Sequence, residues 1–113
     1  MAEATRRRTH ERAASALSAY DQALELQPRS AEAHAGRGLA LLDLGRRHEA
    51  IVEFQRTLEL DPRDGVAVLG LAETYRSLGR VEEARSAYQR YLEGWPGSSE
   101  AGAARAALES LKE

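Results

Sequence analysis

The sequence predicts an all-α fold, a solenoid of helix–turn–helix units with about six helices. Two observations carry this prediction. The first is a period of 34 residues, which relates Pro28, Pro62 and Pro96 and separates Gly45 from Gly79. Two further series keep the same period, namely Ala16, Ala50 and Ala84, and Tyr20, Phe54 and Tyr88. The second is the composition, in which Ala, Leu, Arg and Glu dominate and aromatic residues make up only 5%, as is typical of helical proteins.

The first predicted element is one long helix, from near Ala4 to Leu26, within an N-terminal half-repeat at residues 1–29. The period places a turn glycine at position 11, but the residue there is Glu11, so we expect the chain to continue straight. Most of the circumference of this helix is apolar, and such a helix packs on more than one side. Part of its apolar face is therefore a candidate for self-association in a symmetric dimer. The candidate residues are Ala13, Ala16, Leu17 and Tyr20.

Two complete helix–turn–helix repeats follow, at residues 30–63 and 64–97. Gly45 and Gly79 each close an apolar helical run, where a left-handed residue is least costly as Gly. The proline near the end of each repeat cannot continue a helix and ends the second helix. Two residues after each proline stands a residue that can cap the next helix. These capping candidates are Ser30, Asp64 and Ser98.

The last predicted element is a capping helix within residues 98–113. One face carries apolar residues, whereas the face that would meet a further helix carries Arg105, Glu109 and Lys112. Solenoids need a polar outer surface at their ends, and this helix supplies one. All 113 residues therefore fit a single domain, long enough to bury a core without disulfides or metals.

The repeat pattern resembles the tetratricopeptide repeat family, whose motif reads W-x2-L-G-x2-Y, then A-x3-F, then P. In the repeat at 64–97, Val68 replaces Trp, and the motif positions are matched by Leu71, Ala72, Tyr75, Ala84, Tyr88 and Pro96. In the repeat at 30–63, matches occur at Gly38, Ala50, Phe54 and Pro62, and departures at His34, Arg37 and Leu41. The resemblance covers residues 13–111 and implies a right-handed superhelical arrangement.

The resemblance also implies a binding site, because partners of this family usually lie in the concave groove lined by the first helix of each repeat. Carried over to this sequence, the groove consists of Glu32, Ala35, Leu39, Leu42, Val66, Leu69, Glu73, Arg76, Ala103 and Ala107. Each full repeat contributes residues spaced i, i+3, i+7 and i+10, which share one helical stripe. The stripe is apolar and suits an amphipathic helix or an extended apolar peptide, with Glu73 and Arg76 fixing its orientation. If the helices were rotated slightly, the same residues would belong to the core.

The predicted function is therefore a non-enzymatic adaptor or scaffold that binds another protein, and the alternative is homodimerisation through the first helix. We expect no enzyme, because the sequence has no P-loop, nucleophile elbow or dinucleotide fingerprint. We expect no cofactor or metal, because His10, His34 and His48 show no i, i+4 ligand pair. We also expect no nucleic-acid partner. Acidic and basic residues are interspersed along the chain with a net charge of −2, whereas a nucleic-acid binder has a one-sided basic surface.

Two further kinds of partner are not expected. No apolar run approaches the roughly 20 residues that span a bilayer, and no signal-peptide pattern follows the N-terminal arginines, so the expected location is cytoplasmic. A clamp for chaperone C-terminal carboxylates would need Lys, Asn and Arg at set groove positions. In one register these positions hold Met1, Thr5, Gly36, Val66 and Gly70, and in the other Ala35, Leu39, Gly70, Glu100 and Ala104. Neither register contains a cation.

Overall fold

The computed structural model describes residues 2–111, with side chains for residues 4–111. It contains six α-helices and, within the described range, no strand. The helices are α1 (Ala2–Leu26), α2 (Ala31–Asp43), α3 (Arg47–Leu60), α4 (Gly65–Ser77), α5 (Val81–Gly94) and α6 (Ala101–Ser110). This order confirms the predicted all-α architecture. Met1, Lys112 and Glu113 lie outside the described residues, and so does the end of the predicted capping segment.

Helix α1 runs straight through position 11, as the missing turn glycine predicts. Its side chains from Ala4 to Arg12 are all exposed, and the helix first buries a residue at Ala13. Farther along, the ring of Tyr20 lies so close to α2 that a Cβ added at Gly36 would approach its Cζ to 2.2 Å. The second half of α1 thus packs on α2, while the first half extends beyond the packed body.

The turns within and between the repeats form where the sequence predicts them. Gly45 and Gly79 adopt left-handed φ values of 77° and 74°, which L side chains rarely adopt, so Gly is required there. The hydroxyl of Ser30 accepts a hydrogen bond from the backbone N–H of Ala33 at 3.1 Å. The carboxylate of Asp64 accepts the equivalent bond at 3.0 Å. These caps satisfy N–H groups that the first turns of α2 and α4 leave unpaired.

The predicted cap at Ser98 is wrong. Its hydroxyl lies 2.7 Å from the hydroxyl of Tyr91 on α5, and α6 begins only at Ala101, without a side-chain cap. The ring of Trp95 stacks on Tyr91 with centroids 5.4 Å apart. The chain after α5 is therefore ordered by side-chain contacts with Tyr91, which occupy the serine that would otherwise cap the last helix.

The core centres on Phe54 of α3, which is fully buried between α2 and α4. A Cβ added at Gly38 of α2 would approach its ring to 2.7 Å, and one added at Gly70 of α4 would approach it to 2.6 Å. Both glycines therefore let the helix backbones rest directly on the ring. Val68, at the motif position usually held by Trp, is also buried in this core.

A polar network joins α1, α2 and α3. The carboxylate of Glu53 lies 2.7 Å from Nδ1 of His34 and accepts a hydrogen bond from Arg37 at 3.2 Å. Arg37 also donates to Asp21 at 2.7 Å, and Nε2 of His34 lies 2.9 Å from the carbonyl of Pro28. The hydrogen bond to Asp21 raises the pKa of the Arg37 guanidinium. His34 and Arg37 stand where the family motif has Trp and Leu, so these departures replace apolar packing with ion pairing.

Candidate functional site

Two adjoining cavities form a cleft along α2, α4 and α6, the first helices of the successive units. The larger, of about 620 Å³, lies between α4 and α6. The smaller, of about 250 Å³, lies between α2 and α4. Because both are lined by Leu69, Glu73 and Glu100, they are parts of one surface, which we call the α4 cleft.

Most of the predicted groove residues line the α4 cleft. They are Leu39, Leu42, Val66, Leu69, Glu73, Arg76, Ala103 and Ala107. The side chains of Leu39 and Val66 are 44% and 51% exposed, so they are not core residues. Leu42 and Leu69 are partly buried and pack against the core from above. These eight residues, which the family resemblance implied for the groove, therefore lie along one surface, and their role in binding stays a prediction.

Two predicted groove residues are not part of the α4 cleft. Ala35 is only 5% exposed and belongs to the buried side of α2. Glu32 is exposed at the start of α2, but it lines neither cavity. The cleft thus crosses α2 near its C-terminal half, and the stripe predicted along the whole helix was too long.

Tyr88 of α5, which the sequence identified as a motif position, belongs to the core and also lines the larger cavity. Its side chain is 1% exposed, and within residues 4–111 its hydroxyl has no hydrogen-bond partner. Among the same residues, Nε of Arg85 is the polar side-chain atom that is both fully buried and without a partner. The Tyr88 hydroxyl also lacks a partner but is not fully buried, and we infer that it opens into the larger cavity, which Tyr88 lines. Burial raises the pKa of this hydroxyl, while the charge of Arg76 lowers it and that of Glu73 raises it. The phenol therefore remains protonated at neutral pH and can both donate and accept.

Charged side chains occur in the cleft without the pairing seen elsewhere. Within residues 4–111, neither Glu73 nor Arg76 forms an ion pair. The carboxylate of Glu100 accepts only a hydrogen bond from Ser99, at 2.9 Å, among the same residues. In contrast, an ion pair forms at the start of each of α3 and α5, between Arg46 and Glu49 and between Arg80 and Glu83, both at 2.6 Å. The smaller cavity is lined by the two carboxylates and by no cation.

The residues predicted for self-association face α2. Ala13 is 4% exposed, Leu17 packs against the core, and Tyr20 lies against Gly36. Ala16 is also partly buried. The four residues are therefore at least partly covered within the chain, and their role in self-association stays a prediction.

In the part of the chain that the structure describes, no three or more His, Cys, Asp or Glu side chains are placed to hold a metal ion. Over the same residues, no helix combines the length and apolar character needed to cross a membrane.

Comparison with known proteins identifies the family. The model of the tetratricopeptide repeat family matches residues 1–62 and 36–99, so the chain belongs to this family. No curated protein matches the sequence.

Solved structures show the same fold. The tetratricopeptide repeat protein TTC0263 of Thermus thermophilus is 32% identical, with a TM-score of 0.74 over 88% of this chain and 50% of that one. The first such domain of Spaghetti (RPAP3), bound to the HSP90 peptide SRMEEVD, is 20% identical, with a TM-score of 0.82 over 90% and 79%. PcrH, in complex with the chaperone-binding region of PopD, is 19% identical, with a TM-score of 0.81 over 90% and 80%. This chain therefore spans half of TTC0263 and most of the other two.

Proposed function

We propose that this chain is a non-enzymatic adaptor that binds an amphipathic helix or an extended apolar segment of another protein in the α4 cleft. The observation that carries the proposal is the exposure of Leu39 and Val66 on two neighbouring walls of the cleft, at 44% and 51%. A partner that covers such apolar surface gains roughly 25 cal/mol for each Å² removed from water. Two proteins of the same fold, Spaghetti (RPAP3) and PcrH, have been solved with a peptide or a partner region bound.

Different parts of the cleft offer different kinds of contact to a partner. Leu39 and Val66 offer apolar contact at one end, and the small side chain of Ala103 allows a partner backbone to approach α6 at the other. Between them, Glu73 and Arg76 place opposite charges one turn apart on α4. A bound segment with complementary charges would then take one direction along the cleft.

A display selection of random peptides against the immobilised chain tests this proposal. The variant Leu39→Glu with Val66→Glu is expected to lose the selected peptides while keeping its helicity, because both side chains are exposed. The matched control is Val52→Glu, an exposed valine on α3 outside the cleft, which should bind as the wild type does. Amide shift changes on peptide addition are expected at Leu69, Glu73 and Ala103. Peptides that still bind the double variant, or shifts confined to other faces, would contradict the proposal.

Homodimerisation through α1 is the alternative function. It has less support, because the predicted contact residues pack against α2, and a dimer would have to use the exposed side of α1. Sedimentation equilibrium over a wide concentration range separates the two functions. We expect the mass of a single chain throughout, and a concentration-dependent dimer would favour the alternative.

A further inference from the structure

The polar groups of the α4 cleft define its occupant more narrowly than its apolar walls do. We propose that the occupant is an extended apolar segment that places a lysine or arginine against Glu73 and Glu100 and a backbone group against the hydroxyl of Tyr88. This inference rests on the proposed function, because it assigns chemistry to the occupant of the same cleft. Three features of the cleft support it.

The first feature is the unpartnered hydroxyl of Tyr88. Its ring is 99% buried, since only 1% of the residue is exposed, and its position along the 34-residue period is that of Phe54. At Phe54 an apolar ring alone fills the equivalent place in the core. The hydroxyl is thus not needed for packing, and a hydroxyl group can both donate and accept a hydrogen bond. A ligand that enters the larger cavity can satisfy it.

The second feature is the pair of carboxylates where the two cavities meet. Glu73 and Glu100 line both cavities, and neither is neutralised by a cation within residues 4–111. Arg76, the cation of the larger cavity, is absent from the lining of the smaller one. Like charges brought together on binding are disfavoured. The middle of the cleft therefore selects a basic side chain and rejects an acidic one.

The third feature is the location of the free hydroxyl on the floor of the cleft. A helical ligand satisfies the N–H and C=O groups of its interior by itself and presents only side chains. An extended ligand has a free backbone donor or acceptor at every residue. It also sends alternate side chains to opposite sides, so that apolar residues can reach Leu39 and Val66 while the backbone faces Tyr88. An extended segment satisfies the floor and the walls together.

The test uses the peptides that a random heptapeptide display selects on the wild-type chain. We expect apolar residues at alternating positions, with a Lys or Arg between them. The variant Glu73→Gln with Glu100→Gln should bind these peptides about tenfold more weakly, because glutamine keeps an acceptor oxygen but loses the charge that strengthens its hydrogen bond to a cation. The control, Glu25→Gln with Glu93→Gln, changes the net charge equally outside the α4 cleft and should bind normally. Exchanging the peptide lysine for glutamate should also abolish binding.

The variant Tyr88→Phe tests the hydroxyl separately. We expect the affinity for the selected peptides to fall about fivefold, as for the loss of one hydrogen bond, while the melting temperature stays the same or rises. A residue with a purely structural role would lower the melting temperature instead. Unchanged affinity in Tyr88→Phe would overturn the hydroxyl contact.

The outcomes distinguish this inference from the function on which it rests. If no peptide is enriched, or if enriched peptides bind the Leu39→Glu, Val66→Glu variant, the proposed function fails. If enriched peptides need those two residues but lack a basic residue, or if they bind equally well after their lysine is exchanged for glutamate, the function stands and this inference is wrong. Bound peptides with helical NMR chemical shifts would likewise refute the extended conformation.

Discussion

Replacing Gly70 by Ala probes a close contact between a helix backbone and a buried ring. Gly70 is buried in α4, and a Cβ added there would lie 2.6 Å from Cζ of Phe54 and 2.8 Å from its Cε2. Real Cβ atoms do not approach carbon this closely, so the ring would have to move. Movement toward α2 is restricted by the backbone of Gly38, where an added Cβ would lie 2.7 Å from Cε1 of the same ring. The methyl group therefore separates α4 from α3, or forces the ring from its rotamer.

Two opposing terms set the magnitude. Overpacking of a well-filled core costs about 1–3 kcal/mol, whereas replacing Gly by Ala inside a helix gains about 1 kcal/mol. Because Phe54 is confined on both sides, we expect overpacking to dominate and the free energy of unfolding to fall by about 1–2 kcal/mol. Gly102→Ala in α6 is the matched control, since an added Cβ there meets nothing within 4 Å. That variant should be stabilised by up to about 1 kcal/mol.

Urea unfolding followed by circular dichroism measures both effects, with the midpoint shifting and the slope unchanged. The double variant Gly70→Ala with Phe54→Leu should recover part of the loss, because the smaller side chain vacates the space of the new methyl group. A stabilised Gly70→Ala protein, equal to Gly102→Ala, would show that the ring is not confined. So would strictly additive effects in the double variant.

Three further predictions follow from the structure. Asp64→Ala removes the α4 cap and should lower the free energy of unfolding by about 1 kcal/mol, measured by urea unfolding. Arg85→Met removes the hydrogen bond that ties α5 to the carbonyl of Leu111 at the end of α6, so amide hydrogen exchange in the last turn of α6 should accelerate. The hydrogen bond from Arg46 lowers the pKa of Glu49; its small stabilisation is thus present above the unfolded pKa and is lost as the pH falls through the folded pKa. A carboxyl NMR titration should show that Arg46→Gln raises the pKa of Glu49, and an unchanged value would contradict the pairing.

Local signals predicted the helices and turns because their causes are local. Gly45 and Gly79 adopt the left-handed conformation expected of them, and the side chains of Ser30 and Asp64 cap the helices that follow. Ser98 shows where this reasoning ends. Its position after proline predicted a cap, but its hydroxyl instead forms a hydrogen bond with Tyr91, seven residues earlier in α5. A spacing rule within one helix cannot anticipate such a partner.

The candidate site was predicted in outline and not in its polar detail. The family resemblance implied that Leu39, Val66 and Leu69 share one surface, and the helical spacing of each set placed its residues on one stripe. The free hydroxyl of Tyr88 could not be foreseen from its core motif position. The sequence showed only that Tyr88 carries one oxygen more than Phe54 at the same place in the repeat. The structure was needed to show that a cavity lies beside it.

The ring of Phe54 has a consequence for the smaller cavity of the α4 cleft. It is a rigid plate that touches the backbones of α2 and α4 through Gly38 and Gly70, and these two helices form the walls of the smaller cavity. The space that this ring occupies between the two helices therefore helps to set the width of the smaller cavity. Changes in this buried aromatic would alter which side chains fit between the walls without touching any residue that a bound peptide contacts. In this fold, a buried residue therefore adjusts the width of the cleft.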